Sequence, residues 1–418
     1  MSSGSVPTRA GGWTPTPALR RASVIGGVLP IAALVLGRAD ILLLAVPFVI
    51  GAVASLLRRP EGDPAGTLTL ANPSVLEGEV VDAQVTVGGH SQVPVHCLLT
   101  PRTAPFLEPA YGSRHRTVVV RPGRLTKVAW GYTTKTWGML EVGPVHVTAF
   151  ACDGLLEQRE FRIPVARVAA LPHPDSFESR AQLPNANGLS GVHRSRRPGE
   201  GGELAGVRRF QAGDRLRRID WRTTVRTGET YVNATLSERD AEVTIIIDVL
   251  HEPPLGTAVR AAAAIAAHYT GKGDRVTIVE FGSLRRKLRP GTGRRHYLAA
   301  LEWLASVRAN GGASDESGER MLSAALAPGR GLVFMLTPLL DRRSVAGLAR
   351  LAMSRRSLVA VDTLHEEHGG GLPERLWWLE RDNFIASLRD AGVPVEPWHG
   401  SGSLDLVLRD VARMEMSR

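Results

Sequence analysis

A chain of 418 residues with a formal net charge of +10 is too long for one ordinary domain and is expected to divide into two or three. Its basic excess is nearly all arginine, with lysine only at Lys127, Lys135, Lys272 and Lys287, which favours anionic partners without choosing between a membrane face and nucleic acid. Two cysteines, Cys97 and Cys152, make no wider disulfide framework; they read as two unpaired buried thiols unless the fold brings them together.

After an N-terminal tail at 1–21, residues 22–37 (ASVIGGVLPIAALVLG) and 41–57 (ILLLAVPFVIGAVASLL) are apolar throughout. A spanning helix needs about 17–25 such residues, and flanking arginines can lengthen a short one by snorkelling. Arg20 and Arg21 precede the first run and Arg58 and Arg59 follow the second. Positive charge marks the cytoplasmic side. Residues 22–59 therefore predict a transmembrane hairpin, with the bulk of the chain cytoplasmic and Arg38 as the exception in the outer turn. A cleaved signal peptide is the rival reading, and the second apolar run argues against it.

Residues 66–168 alternate apolar and polar positions between closely spaced turn residues, as in EVVDAQVTVGG and LTKVAWGY. About seven short strands without a helical stretch suggest a β-sandwich. Residues 171–206, rich in Pro, Gly, Ser and Arg, predict a loop-like linker.

The segment at 207–241 contains GDRLRRIDWRTTVRTGE, residues 213–229. Read as a strand, it points Ile219 and Trp221 inward while Arg218, Asp220 and Arg222 alternate outward. Asp214 and Asp220 then have fork-shaped partners in Arg217, Arg218 and Arg226. One tryptophan without further aromatics is a poor stacking platform, so nucleic acid is not expected. His193 is the one histidine nearby, and no catalytic constellation is recognised. A module binding an anionic ligand (nucleic acid or lipid head group) through these arginines and an unrecognised hydrolase using Asp220 or His193 stand as the alternative readings.

From residue 242 the texture changes to buried strands alternating with helices. EVTIIIDVL, DRVTIVEFG, GLVFMLTPLL, SLVAVDTL and VPVEPW are the strands, and a last helix is expected over 402–414. That alternation predicts an α/β sheet, parallel and doubly wound, over 242–418, with ligand-facing strand ends at Asp248, Phe281, Thr337 and Asp362. GKGD at 271–274 lacks the residues of a phosphate loop, and HEEH at 365–368 reads as a solvated loop. A D-x-S-x-S turn after the first strand could hold a hard divalent cation. Here that turn is Asp248-Val249-Leu250-His251-Glu252, and leucine cannot coordinate a cation. Asp248, Thr337 and Asp341 are left as a remnant metal set, and no cofactor is expected.

The stretch from Gly191 to Val232 closely resembles the signature of the domain-of-unknown-function 58 family. The matching residues are Gly191, His193, Ser195, Gly199, Gly201, Glu203, Phe210, Gly213, Asp214, Arg217, Ile219, Asp220 and Trp221. Leu204 departs from the aromatic residue usual there. WGMLEVGP and DGLLE resemble two further family elements, with Trp137 in place of an arginine. The resemblance implies a bacterial membrane protein with a helical hairpin, a β-rich middle and a von Willebrand factor A-like domain. It implies partnership with a MoxR-like AAA+ ATPase, and an adaptor that binds a client protein rather than an enzyme. His193, Ser195, Gly213, Asp214, Arg217, Asp220, Trp221 and Arg226 are then signature or binding residues.

Overall fold

The computed structural model describes residues 12–408 apart from 90, 103, 178–197, 212–215, 217–218, 237–241, 253–254, 283–285, 311–330, 354–356, 365–371, 401–403 and 406–407. His193, Ser195, Gly213, Asp214, Arg217, Arg218 and HEEH at 365–368 lie outside the described residues, as does most of the helix expected over 402–414. Two compact units divide the chain at Leu171 and Pro172.

In the first unit, a short strand β1 (Thr14–Pro15) leads into helix α1 (Pro17–Leu36), which is followed by α2 (Asp40–Leu57). Pro17 opens α1, where its missing N–H costs nothing, and Gly37 ends it in the left-handed conformation at φ 64°. Arg38 pairs with Asp40 at 2.6 Å across the turn, which neutralises the charge expected to disfavour that location. Both helices are long and apolar enough to cross a membrane. Their apolar side chains point outward, with Leu34 86%, Leu57 81% and Leu43 77% exposed. The helices approach closely at Gly26, where a Cβ would lie 3.2 Å from Val49.

The rest of this unit is all β. One sheet joins β1, β5 (Val95–Pro101), β7 (Arg116–Val120), β10 (Val145–Ala151) and β11 (Leu156–Ile163). A second joins β2 (Ala65–Leu70), β4 (Val80–Gly88), β6 (Leu107–Tyr111) and β8 (Thr126–Thr134). A third small sheet holds β3 (Ser74–Leu76), β9 (Gly138–Val142) and β12 (Ala166–Leu171). Alternate residues of β4 and β8 (Val81, Ala83, Val85, Val128, Trp130) share one core with Cys97, Leu99, Val145 and Val147 of the first sheet. The strands outnumber the expected seven because several are too short to show alternation. Cys97 and Cys152 are unpaired; Cys97 is buried, and burial pushes its thiol up to about 12, whereas Cys152 is only half-buried.

The second unit begins with two corrections to the sequence reading. From Pro198 onward the expected linker is a strand, β13 (Pro198–Arg209), paired antiparallel with β14 (Tyr231–Leu236). Residues 172–177 are not a loose tether. Phe177 is buried against His268 and Trp398, and the Trp398 indole donates to Asp175 at 2.7 Å. Between β13 and β14 lies a short helix, α3 (Trp221–Thr227), where a strand was expected.

The main sheet contains β15 (Glu242–Asp248), β16 (Arg275–Phe281), β17 (Lys287–Gly291), β18 (Leu332–Thr337), β19 (Ser357–Asp362) and β20 (Val395–Pro397). Its order is β17-β16-β15-β18-β19-β20, all parallel except the β17 edge, a strand the sequence did not show. Among the described residues four helices accompany it: α4 (Leu255–Gly271), α5 (Gly293–Ala305), α6 (Arg342–Met353) and α7 (Leu372–Asp390). Side chains alternate across each strand. Phe334 meets Tyr269 of α4, while Val333 and Met335 pack with Leu348 and Leu351 of α6 and Leu388 of α7. Helices therefore cover both faces, and the strands are buried end to end.

Candidate functional site

Strand order reverses between β15 and β18, the place where open α/β sheets form a crevice at their carboxyl edge. Asp248 ends β15 there and is 2% exposed. By alternation it shares a face with Ile246, and Thr337 with Met335, so both side chains point toward α6. Asp248 Oδ2 accepts from the Thr337 hydroxyl at 2.7 Å and from the Ser344 hydroxyl, on α6, at 2.5 Å. Its Oδ1 accepts the Leu250 N–H at 3.0 Å. Burial raises this carboxyl above the usual carboxylate range, while the three hydrogen bonds oppose that rise. Thr337 in turn accepts the Leu339 N–H at 3.1 Å. One carboxylate thus ties together two strands, two loops and the start of a helix.

Asp341 does not join this group. It caps α6 by accepting the Arg343 N–H at 2.8 Å, and its other oxygen takes the Arg343 guanidinium at 2.7 Å. That guanidinium is the main reason its carboxyl lies below the ordinary value. His251 Nε2 stands 3.8 Å away from the same oxygen. Of the remnant metal set the structure brings Asp248 and Thr337 together and leaves Asp341 committed to an arginine. Leu250 contributes only its backbone. Among the described residues no group of three or more His, Cys, Asp or Glu is arranged to hold a metal ion. These residues do not fit a hard cation, which would need the oxygens that the chain's own donors occupy.

A cavity of about 320 Å³ opens at the same edge, lined by Leu339, Asp341, Arg342, Glu380, Arg381 and Phe384. Arg381 is 3% exposed and bridges two loops. It donates to the Asp362 carboxylate at the end of β19 and to the Pro338 carbonyl at 3.1 Å, and its guanidinium lies over the Trp378 ring. Arg342 and Glu380 pair at 2.9 Å in solvent at the rim. Ser344 and Arg381 were missed by sequence reasoning. Ser344 follows the D-x-x helix start at Asp341 and so was findable; nothing distinguished Arg381 from the other arginines.

The segment around Asp220 departs from expectation. Among the described residues, which leave out Arg217 and Arg218, Asp220 forms no salt bridge with an arginine. Its Oδ1 accepts the N–H groups of Arg222 at 3.0 Å and Thr223 at 3.2 Å, and Oδ2 accepts the Thr223 hydroxyl at 3.1 Å. It is the N-cap of α3, and the Thr223 N–H leads the causes that hold its carboxyl below the usual range. Trp221 is 66% exposed rather than an inward anchor. The helical turn that Asp220 starts rotates Trp221 away from the side occupied by Ile219, which bridges to Val232. Arg226, in the last turn of α3, is exposed.

Fold and site define a class: a two-unit protein with two apolar N-terminal helices, a sheet-rich middle and an open α/β sheet closed at its switch point by its own side chains. Residues 206–375 match the family described as "Protein of unknown function DUF58". Uncharacterized proteins of Mycobacterium bovis and Mycobacterium tuberculosis are 32% identical over 128 residues, which is 28% of this chain and 40% of theirs. The match thus spans well under half the length of those relatives. Among solved structures, a FixG-related protein from Vibrio parahaemolyticus aligns at 9% identity and a TM-score of 0.20, covering 26% of this chain and 95% of that one. The ASH/PapD-like domain of human CEP192 aligns at 11% identity and a TM-score of 0.18, covering 25% and 86%.

Proposed function

We propose that this chain is a bacterial membrane-anchored adaptor of the domain-of-unknown-function 58 family whose second unit, a von Willebrand factor A-like domain, binds partner proteins. The observation that carries the reading is the pair of apolar helices, with leucines such as Leu34, Leu43 and Leu57 more than three quarters exposed. Surfaces of that size require a bilayer or another apolar partner. Strand order and the antiparallel edge strand support the von Willebrand factor A-like reading. The Asp248 hub supports a platform that positions loops for a partner rather than one that coordinates a cation. The family resemblance suggests a MoxR-like AAA+ ATPase as that partner, acting on a membrane or envelope client.

Two experiments test it. A chain tagged at both ends should stay in the membrane fraction after alkaline carbonate, with both tags attached. Loss of the N-terminal tag together with a soluble remainder would make the first helix a signal sequence and sink the anchor. Cross-linking before detergent extraction should recover an AAA+ ATPase with the chain, and its consistent absence would refute the partnership.

A further inference from the structure

We propose that helix α3 presents a lipid-binding face that rests on an anionic bilayer surface, an inference that stands on the membrane-anchored reading above. The helix is short, and Asp220 and Gly228 cap its two ends. Trp221 and Val225 are four residues apart and so share one face. They are 66% and 81% exposed, and Leu216 just before the helix is 70% exposed. Arg222 and Arg226 repeat the same spacing one step round the helix, and both are exposed. Among the described residues neither guanidinium has an ion-pair partner. Among the described residues the nearby carboxylates are engaged elsewhere: Asp220 caps the helix, and Glu229 pairs with Arg209 at 2.8 Å. The face is therefore apolar at its centre and positively charged beside it.

Tryptophan prefers the headgroup level of a bilayer, where its ring is buried and its N–H stays wet, and arginine is drawn to anionic headgroups. The exposed valine and leucine fit the shallow apolar layer beneath. A protein with an acidic surface would share part of this chemistry. The bilayer is favoured because the same chain carries two helices able to cross one, which keeps the second unit at a high effective concentration near lipid.

The test uses the full chain reconstituted into vesicles that contain brominated phospholipid, which quenches tryptophans seated at the interface. Subtracting the Trp221→Phe protein from the parent isolates the Trp221 emission among the 8 tryptophans. With phosphatidylglycerol mixed into phosphatidylcholine, that emission should be quenched. In phosphatidylcholine alone, or in molar salt, where screening falls to about 3 Å, most of the quenching should disappear. Arg222→Ala with Arg226→Ala should lower the engaged-to-free ratio about 30-fold, at roughly a kilocalorie for each arginine near the surface. Equal quenching of parent and Trp221→Phe in anionic vesicles overturns the proposal. So does a Trp221 that is shielded only after cross-linking to an acidic protein. Flotation of the same samples separates the two ideas: protein that floats with every lipid composition yet shows no Trp221 quenching keeps its anchor and loses this face.

Discussion

Replacing Asp248 by alanine removes the acceptor for three donors at once. The hydroxyls of Thr337 and Ser344 are wholly buried, and Leu250 is 7% exposed, so water cannot take over. A buried donor left without an acceptor costs ~1–3 kcal/mol. The two hydroxyls can rotate about their Cβ–Oγ bonds toward nearby carbonyls, which places them at the low end. The Leu250 N–H is fixed by the turn and belongs at the high end. Removing a buried carboxylate also relieves its desolvation, which offsets part of the loss. The net expectation is about 2–4 kcal/mol, a large share of a domain stability of ~5–15 kcal/mol. Asp248→Asn should cost less, about 1–2 kcal/mol, because its oxygen can still accept both hydroxyls while its NH₂ faces the Leu250 N–H. The two units need not unfold together, so a single melting temperature is the wrong readout. Hydrogen exchange of the full chain in detergent, read on peptides covering Ile247–Leu250 and Thr337–Leu339, resolves the local effect. Exchange there should speed up about 30- to 1000-fold in Asp248→Ala if local opening limits it. Parental protection of those peptides, or an asparagine variant worse than alanine, would refute the hub.

Other expectations follow from the same bookkeeping of buried polar groups. Glu280 is 2% exposed and burial pushes its carboxyl up to about 7 from an ordinary 4.5, with Arg286 at 3.0 Å pulling the other way. A folded value above the unfolded one gives stability that is complete below pH 4.5 and lost as pH rises through 7. The loss is on the order of 3 kcal/mol, and Glu280→Gln should flatten that limb in denaturant titrations at several pH values; identical slopes in both proteins would contradict it. Arg381→Ala breaks the buried ion pair with Asp362, whose other oxygen still accepts the Leu364 N–H, and should cost about 3–5 kcal/mol, whereas Arg381→Met, which fills part of the vacated space, should cost no more than alanine does; denaturation of both variants decides. Asp220→Asn should preserve amide protection of Arg222 and Thr223, and Asp220→Ala should lose it. Equal protection in the two would mean that the cap does not hold α3.

Much of the scaffold was legible because it depends on periodicity alone. Two apolar runs gave helices whose ends moved only a few residues, since Thr16 and Pro17 extend α1 backward and Asp40 starts α2. Largely apolar runs located β15, β16, β18 and β19, because strands covered on both faces have no polar side to show. The short strands β3, β6 and β17 escaped, being too brief for alternation to register. Strand β13 escaped because its Gly-rich start carries the composition of a loop.

Charged residues were less readable, for a physical reason. A sequence shows which donors and acceptors are available but not which ones the backbone brings within 3 Å. Asp220 had arginines on both sides, yet it bonds to the N–H groups of its own helix, because a helix start leaves donors that a nearby carboxylate satisfies at little cost. The sequence by itself determined the two apolar helices, the β-rich middle, the alternating strands and helices of the last unit, and the position of Asp248 at a strand end. Only the tertiary structure decided that Ser344, 96 positions away, would share that carboxylate, that Arg381 would be sealed against Asp362, and that Trp221 would face solvent. Periodicity is a property of neighbours along the chain, whereas hydrogen-bond partnership in a buried site is set by which elements pack together and which donors water can no longer reach.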